Sequence, residues 1–294
     1  MKNPKTFGVW GNIEKDAFWN VLPKIINWAK DKNLELFLTE KIISDVRSKE
    51  FDQPVINSKE KISEMDFMLV LGGDGTFLSC ARAVENRSTP ILGIHLGDLG
   101  FLAKVTLENI FQRLDEVSNG LFTVEKRSMV KASILKNGTS LTQYGLNDFV
   151  VSNGESHRML IAEVYVDDNR VSEYKADGLI VATPTGSTAY SLSSGGPIIS
   201  PDVDSFVITP ISAHTLNSRP LVVSAKSRIK IQFSPYNENI LLITDGQLHE
   251  LLTAQDTVLI TDSDFEIGLI DFEDDDYFQT LRTKMGWGTR GGSN

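Results

Sequence analysis

Residues 67–77 read Phe-Met-Leu-Val-Leu-Gly-Gly-Asp-Gly-Thr-Phe, an apolar run that ends in a glycine-rich turn. The run predicts a buried β-strand, and the helix-like residues 78–84 follow the turn. This order places Asp74 beyond the carboxyl end of a buried strand, where open α/β sheets bind their ligands. Gly73 and Gly75 lack Cβ atoms, so phosphate groups can approach the backbone N–H groups beside Asp74. The alternative is an ordinary turn in which Asp74 only caps the helix.

The first part of the chain has the pattern of a Rossmann-like α/β domain. Short apolar runs alternate with longer amphipathic ones over residues 1–122, as expected of βα units around a largely parallel sheet. Pro23 lies inside the first amphipathic run, so that helix is predicted to begin near it or to be kinked there. The predicted strands are 6–10, 34–38, 66–71 and 90–94, and the predicted helices are 18–29 and 107–117.

The pattern changes at about residue 122 to strand-like segments that are joined by turn residues. Helical signals are few from there on, which predicts a second, β-rich domain that resembles a β-sandwich. Residues 136–138 and 167–169 predict two hairpin turns. The predicted strands are 130–135, 140–144, 149–152, 160–166, 171–174, 178–182, 205–209, 221–223, 229–233, 240–244 and 257–260.

The composition excludes several classes of protein. Of the 294 residues 41% are hydrophobic and 23% are charged, which disfavours disordered, collagen-like and membrane proteins. The net charge of −10 argues against a protein that coats nucleic acid or anionic lipid, so neither is expected as a partner. The acidity is concentrated in residues 231–281, which contain 12 acidic residues and no Lys or Arg. This segment is predicted to be a solvated face.

The sequence gives no sign of a disulfide framework or of a metal site. Cys80 is the single cysteine, and the four histidines lack the spacing of metal ligands. The N-terminal residues lack the apolar core of a signal peptide, and no apolar run approaches the ~18 residues of a membrane span. We therefore expect a cytoplasmic protein.

A second cluster of glycines and hydroxyl groups occupies residues 177–197. It offers hydrogen-bond donors and acceptors on a backbone that is free to curve around a polar ligand. A surface loop is the simpler interpretation, but an aromatic residue at Tyr190 and the closing Gly-Gly-Pro at 195–197 disfavour it.

Common nucleotide-binding and catalytic motifs do not fit this sequence. There is no P-loop, and Leu78 replaces the third glycine of a dinucleotide fingerprint. Protein-kinase and Gly-x-Ser-x-Gly motifs are also missing.

Several motifs, taken together and in chain order, resemble those of the NAD kinase family. They are Gly-Gly-Asp-Gly-Thr at 72–76, Leu-Asn-Asp at 146–148, Asp-Gly at 177–178, Thr-Pro-Thr-Gly-Ser-Thr-Ala-Tyr-Ser at 183–191, Gly-Gly-Pro at 195–197, Pro-Ile-Ser-Ala-His-Thr-Leu at 210–216, Arg-Pro at 219–220 and Asp-Gly-Gln at 245–247. The first motif is shared with lipid kinases and related phosphotransferases. The stretch at 183–191 is far more specific, and it favours the NAD kinases.

The resemblance implies a domain organisation and a reaction. Residues 1–122 would be the α/β domain, 123–270 the β-rich NAD-binding domain, and 271–294 a segment that returns to the first domain and ends in a frayed tail. The reaction would transfer the γ-phosphoryl group of ATP to the 2′-OH of the adenosine ribose of NAD, giving NADP and ADP. Mg²⁺ or another divalent cation would accompany ATP, and the enzyme would be a homodimer or homotetramer.

The resemblance also implies roles for single residues. Asp74 would be the catalytic residue, as general base or orienting acceptor for the 2′-hydroxyl. Asn147 and Asp148 match an Asn-Glu pair that contacts the adenosine end of NAD, although Asp148 is one methylene shorter than glutamate. The implied NAD contacts, taken together, are Gly73, Asp74, Gly75, Phe101, Asn147, Asp148, Lys175, Asp177, Thr185, Thr188, Ala189, Tyr190, Ser193, Ala213, His214, Asp245 and Gln247.

Two other functions stay open from the residues alone. A lipid or sphingoid-base kinase would share the Asp74 motif but would need an apolar substrate cavity and would not need the 183–191 stretch. A regulator that binds a dinucleotide without turnover would keep the pocket, but it would not need Asp74.

Overall fold

The computed structural model of the chain describes residues 3–97, 100–136, 138–154, 158–215 and 217–287. Asn137 of a predicted hairpin turn, Leu216 of the 210–216 motif and the predicted tail at 288–294 lie outside the described residues. Within them the chain forms two compact units: one joins the residues up to Lys126 to those from Ile267 onward, and the other is Arg127–Glu266. No helix in the described ranges is long and apolar enough to cross a membrane.

The helices and strands follow in chain order. Up to residue 122 they are β1 (Thr6–Gly11), α1 (Asp16–Asp31), β2 (Glu35–Thr39), α2 (Glu40–Ile43), β3 (Val55–Ile56), α3 (Lys59–Ile62), β4 (Phe67–Gly72), α4 (Asp74–Val84), β5 (Ile91–His95) and α5 (Ile110–Ser118). The later elements are β6 (Thr123–Lys136), β7 (Thr139–Gly145), β8 (Asp148–Ser152), β9 (Leu160–Val166), β10 (Asn169–Ala176), β11 (Gly178–Ala182), α6 (Tyr190–Ser193), β12 (Ser205–Ile211), β13 (Leu221–Ser224), β14 (Ile229–Phe233), β15 (Ile240–Thr244), β16 (Leu248–Leu252), β17 (Thr257–Asp271) and α7 (Tyr277–Met285).

The first unit contains a parallel sheet with the strand order β3-β2-β1-β4-β5. Every residue of β4 is buried, as expected of a central strand that is covered on both faces. Helix α1 packs its apolar side, which includes Phe18, Leu22 and Ile25, into the core of this unit. Pro23 lies within the helix, which begins at Asp16 rather than near the proline. The predicted α/β class of this part of the chain is confirmed.

Residues 267–287, the last that the structure describes, belong to the first unit. The end of β17 pairs in parallel with β5, with Leu269 opposite Ile91, and α7 follows. Arg113 of α5 contacts the segment between them: its guanidinium lies 2.8 Å from the Asp274 carboxylate and 4.3 Å from the centre of the Phe272 ring.

The second unit is β-rich. Strands in the order β13-β12-β11-β8-β15-β16 form an antiparallel sheet, while β10, β9, β14 and the first part of β17 pair with one another and β6 pairs with β7. One apolar core lies among these strands and includes Phe149, Leu179, Phe206 and Val258. The arrangement fits a sandwich: β9, β14 and β15 bury alternate side chains, and every residue of the central strand β11 is buried. The predicted β-rich class is confirmed.

Candidate active site

Asp74 is the first residue of α4, directly after the buried strand β4. Its carboxylate accepts hydrogen bonds from three consecutive backbone N–H groups: Phe101 at 2.9 Å, Leu102 at 3.2 Å and Ala103 at 3.2 Å. The N-terminus of a helix favours a negative charge at this position. Since α4 begins at Asp74 rather than near residue 78, the glycine turn is shorter than the sequence predicted. The carboxylate is therefore held in one orientation by the chain that follows β5.

Two glycines let the chain close around Asp74. A Cβ atom on Gly100 would lie 1.9 Å from Oδ1 of Asp74, so no larger residue fits there without movement. A Cβ on Gly72 would lie 2.2 Å from the Thr76 hydroxyl oxygen. Gly73 differs, because a Cβ there would have no neighbour within 4 Å. Its backbone therefore borders open space, which leaves room for a ligand beside Asp74.

His95 anchors the start of the segment that surrounds Asp74. It is buried at the end of β5, and its ring Nδ1 lies 2.6 Å from the carbonyl oxygen of Gly97. A carbonyl oxygen only accepts hydrogen bonds, so Nδ1 carries the hydrogen of this bond. Among the described residues Nε2 has no partner. Sequence reasoning missed this role, because it depends on the path of the chain after β5.

In the second unit, two predicted motifs interlock. The Thr183 hydroxyl donates to the Leu146 carbonyl at 2.6 Å, and the Thr183 N–H donates to the Asn147 carbonyl at 2.9 Å. A Cβ on Gly186 would lie 2.0 Å from the Asn147 carbonyl oxygen, so the two segments can pack this closely only with glycine there. The Leu-Asn-Asp motif and the 183–191 stretch thus form one local structure.

Asp245 and Asp148 are two buried carboxyl groups beside this structure. The Asp245 carboxylate accepts the N–H groups of Asn147 at 2.8 Å and of Leu146 and Asp148 at 3.2 Å each. Only 3% of Asp148 is exposed. Burial raises the pKa of Asp148 from its usual 3.8 to about 7, and the nearby charge of Asp245 contributes to the rise. Near neutral pH the Asp148 carboxyl can therefore both donate and accept a hydrogen bond.

A cavity of about 290 Å³ opens at these two carboxyl groups. Five of the predicted NAD contacts line it: Asn147, Asp148, Ala189, Tyr190 and Asp245. Tyr190 is 48% exposed, so its side chain offers apolar surface that a ligand could cover. The other lining residues are Val150, Ile243, Gly246 and His249. His249 faces Ile243 across the β15–β16 hairpin, and its closeness to the Asp245-Gly246 turn was the signal that could have identified it.

The other predicted contacts of the second unit lie outside this cavity lining. Lys175 is exposed and its ammonium lies 3.3 Å from the Glu173 carboxylate. The His214 N–H donates to the Lys175 carbonyl at 2.9 Å and the Asp177 N–H donates to Ile211, so 175–177 lies beside 211–214. Ala213 is half-buried and His214 is exposed. The remaining predicted contacts, none of which lines the cavity, are the buried Thr185, the half-buried Thr188 and the exposed Ser193 and Gln247.

The protein offers no cage for a metal ion in the part of the chain that the structure describes. Nowhere in these ranges do three or more His, Cys, Asp or Glu side chains come together in a way that could hold one. Mg²⁺ usually keeps several waters and is bound through one or two carboxylates plus the phosphates of a substrate. Asp74 beside the open backbone at Gly73 fits that mode of binding.

Comparisons with known proteins agree with the motifs. The family model of the ATP-NAD kinase N-terminal domain matches residues 7–122, and that of the ATP-NAD kinase C-terminal domain matches residues 146–272. An NAD kinase of Thermoanaerobacter sp. (strain X514) is 40% identical over 282 residues, which cover 96% of this chain and 99% of that protein. The NAD kinase of Syntrophotalea carbinolica is 40% identical over 288 residues, covering 97% and 100% of the two chains.

Solved structures extend the likeness to the fold. Yeast NADH kinase, solved in complex with NADH, superposes with a TM-score of 0.89 at 23% identity and covers 98% of this chain and 90% of its own. The NAD kinase of Archaeoglobus fulgidus, solved in complex with ATP, has a TM-score of 0.76 at 27% identity, with 96% and 98% covered. With motifs, domain models, full-length relatives and fold in agreement, the chain belongs to the NAD kinase family.

Proposed function

We propose that this NAD kinase transfers the γ-phosphoryl group of ATP to the 2′-OH of the adenosine ribose of NAD, with Asp74 as the residue that receives or orients the hydroxyl proton. Phosphorylation of NAD with ATP is the activity of the family to which the chain belongs. One observation supports this role of Asp74: three backbone N–H groups fix the position of its carboxylate.

Phosphoryl transfer to a sugar hydroxyl is favoured by a carboxylate that is held in a fixed position. A sugar hydroxyl is a poor nucleophile at neutral pH, and a positioned base contributes to its activation. Phosphoryl transfer otherwise depends on positioning and on neutralising charge. The N–H groups of residues 101–103 hold Asp74 without protonating it, so it keeps lone pairs that can accept the hydroxyl hydrogen.

The adenosine end of NAD is proposed to bind in the cavity of the second unit. Asn147 and Asp148 offer both donors and acceptors, which suits a ribose diol or the edge of an adenine ring. A partly protonated Asp148 adds a donor that an ionised glutamate would lack. The ring of Tyr190 supplies apolar area for a base. The other contacts implied by the resemblance, Lys175, Asp177 and Ala213 among them, stay predictions.

We further propose that Mg²⁺ or another divalent cation enters with ATP as part of the substrate. It would neutralise phosphate charge, while the residues of this chain orient the reactants. The protein is also proposed to be cytoplasmic, to act as a homodimer or homotetramer, and to bind neither nucleic acid nor membranes. The net charge of −10 supports the last of these proposals.

Replacing Asp74 tests its role. Asp74→Asn keeps the size of the side chain and one oxygen that can accept from the backbone, but it cannot take a proton. We expect kcat to fall by about 10²–10⁴-fold while NAD binding, measured calorimetrically, stays within about threefold. Asp31→Asn, an exposed change at the end of α1, is the matched control. Near-normal turnover in Asp74→Asn would remove the proposed role.

A further inference from the structure

Two lysines contact the segment that surrounds Asp74. The ammonium of Lys15, which follows β1, lies 3.5 Å from the Leu96 carbonyl oxygen, and a Cβ atom on Gly97 would be 3.1 Å from it. The ammonium of Lys284, in the last turn of α7, lies 5.6 Å from the centre of the Phe101 ring. Phe101 is one of the three residues whose N–H groups hold the Asp74 carboxylate. All of these residues belong to the first unit.

Neither lysine is neutralised by a carboxylate of the described residues. Both side chains are exposed, and their contacts are with a carbonyl oxygen and an aromatic ring. Lys104, four residues beyond Gly100, is different, because its ammonium lies 3.0 Å from Asp271 and 3.6 Å from Glu125. Among the described residues, Lys104 is therefore paired with carboxylates, whereas Lys15 and Lys284 are exposed cations without a carboxylate partner.

The proposed reaction requires positive charge at this place. The triphosphate of ATP carries about four negative charges, and its γ-phosphoryl group must meet the hydroxyl that Asp74 orients. Asp74 is itself negative and repels the phosphates. A divalent cation offsets only part of this charge, so further cations near the reacting phosphoryl stabilise the transition state. Open backbone at Gly73 leaves space for the phosphates beside Asp74.

We propose that Lys15 and Lys284 form a binding site for the polyphosphate chain of the phosphoryl donor. The described residues on either side of positions 98 and 99 then have two functions: residues 101–103 fix the Asp74 carboxylate through backbone N–H groups, and Leu96 and Phe101 each contact a lysine. Phe101 holds the Lys284 ammonium through its ring face, which keeps the charge in place without neutralising it. This inference rests on the proposed function, since it assigns the donor side of the same reaction.

The test removes each charge and keeps the apolar stem. Lys15→Met and Lys284→Met are expected to raise KM for ATP about tenfold each, as for the loss of a charge-assisted contact to phosphate. They should weaken competitive inhibition by inorganic tripolyphosphate by a similar factor, while KM for NAD stays within about twofold. Lys284→Arg should restore most of the affinity for ATP. Lys24→Met, on an exposed position of α1, is the matched control.

Two outcomes would overturn the assignment. A rise in KM for NAD with KM for ATP unchanged would show that the two lysines bind the diphosphate of NAD instead. Unchanged KM for ATP together with unchanged inhibition by tripolyphosphate would show that the two lysines do not bind phosphate. Either result would leave the proposed function intact, because the unsubstituted enzyme would still form NADP.

Discussion

Asp148 should make the stability of the protein depend on pH. Its pKa is raised to about 7 in the folded chain, against 3.8 when exposed. Between these values the folded state binds a proton that the unfolded state has lost, so the free energy of unfolding falls as pH rises from about 4 to about 7. Asp148→Asn has no carboxyl group to titrate, so its free energy of unfolding should not fall in this way as pH rises. We expect the variant to gain roughly 2–4 kcal/mol relative to the unsubstituted chain above pH 7, and little at pH 4.

Urea unfolding at pH 4, 6 and 8 measures this difference. Glu238→Gln, which changes an exposed acidic residue of the same unit, serves as the control and should shift stability equally at all three values. A gain for Asp148→Asn that is the same at pH 4 and pH 8 would contradict the raised pKa.

Gly100 and Gly73 should respond differently to the same added methyl group. Gly100→Ala drives a Cβ into the Asp74 carboxylate, and we expect kcat to fall by about 100-fold because a displacement near 1 Å misaligns the reacting groups. Gly73→Ala meets nothing within 4 Å, so stability should change by less than about 1 kcal/mol, while the methyl narrows the space left for phosphate and raises KM for ATP. Thermal unfolding and steady-state kinetics separate the two effects. Equal kcat in both variants would contradict the contact between Gly100 and Asp74.

At the residue scale the sequence singled out Asp74 but not the residues around it. The position of Asp74 at the end of a buried strand could be predicted from the apolar run and the glycines, while its catalytic role stays a prediction. His95 and Gly100 could not, since their roles arise only when the chain turns back after β5. Of the residues that the motifs grouped, Asn147 and Tyr190 line the cavity, whereas Lys175 and His214 contact each other and do not line it.

At the scale of elements, Arg113 of α5 should stabilise the C-terminal segment. Its guanidinium contacts Glu116 and Asp274 at 2.8 Å each and lies over the Phe272 ring. The hydrogen bond with Asp274 raises the pKa of Arg113, so the pair stays ionised. Arg113→Met should lower the free energy of unfolding by about 1–3 kcal/mol, since it removes these contacts from a half-buried position.

Denaturant unfolding of Arg113→Met, compared with Lys59→Met, checks this expectation. Lys59 forms a more exposed pair with Glu85 at 3.4 Å, and its loss should cost less than about 1 kcal/mol. If the two variants lose equal stability, the contacts of Arg113 do not hold the C-terminal segment.

Strands with a buried face could be predicted from the sequence, whereas the charged ends of two long strands and one mostly exposed strand could not. The predictions at 66–71 and 160–166 differ from β4 and β9 by at most one residue at either end, because apolar runs or alternation mark them. β6 and β17 extend well beyond the predicted 130–135 and 257–260, since charged residues such as Lys126 and Asp262 interrupt the alternation. β16 was missed, because most of its residues are exposed and its only buried residue is Leu252.

At the scale of the whole molecule, the acidic segment 231–281 is more than the solvated face that its composition predicts. Asp245 and Asp256 are buried, and each accepts backbone N–H groups: Asp245 those of 146–148, and Asp256 that of Thr253. Asp271 and Asp274 pair with Lys104 and Arg113 of the first unit. That part of the prediction was wrong, because a count of charges does not show partners that lie far away in the sequence.

The return of the chain end to the α/β unit could be anticipated only through the resemblance to a family. Periodicity marks β-strands up to about residue 260 and says nothing of which sheet they join. In the structure residues 267–287 belong to the first unit, where the Lys284 ammonium lies 5.6 Å from the centre of the Phe101 ring. The functional assignment of each domain stays a prediction until substrate binding is measured.

The most direct measurement of the central claim is an assay of the purified, unsubstituted protein with ATP, Mg²⁺ and NAD, with the product detected by a dehydrogenase specific for NADP. We predict NADP and ADP in equal amounts, and NADP formation that is slower by about 10²–10⁴-fold when Asp74→Asn replaces the unsubstituted chain. Absence of NADP with ATP and NAD, or phosphorylation of diacylglycerol in its place, would contradict the account.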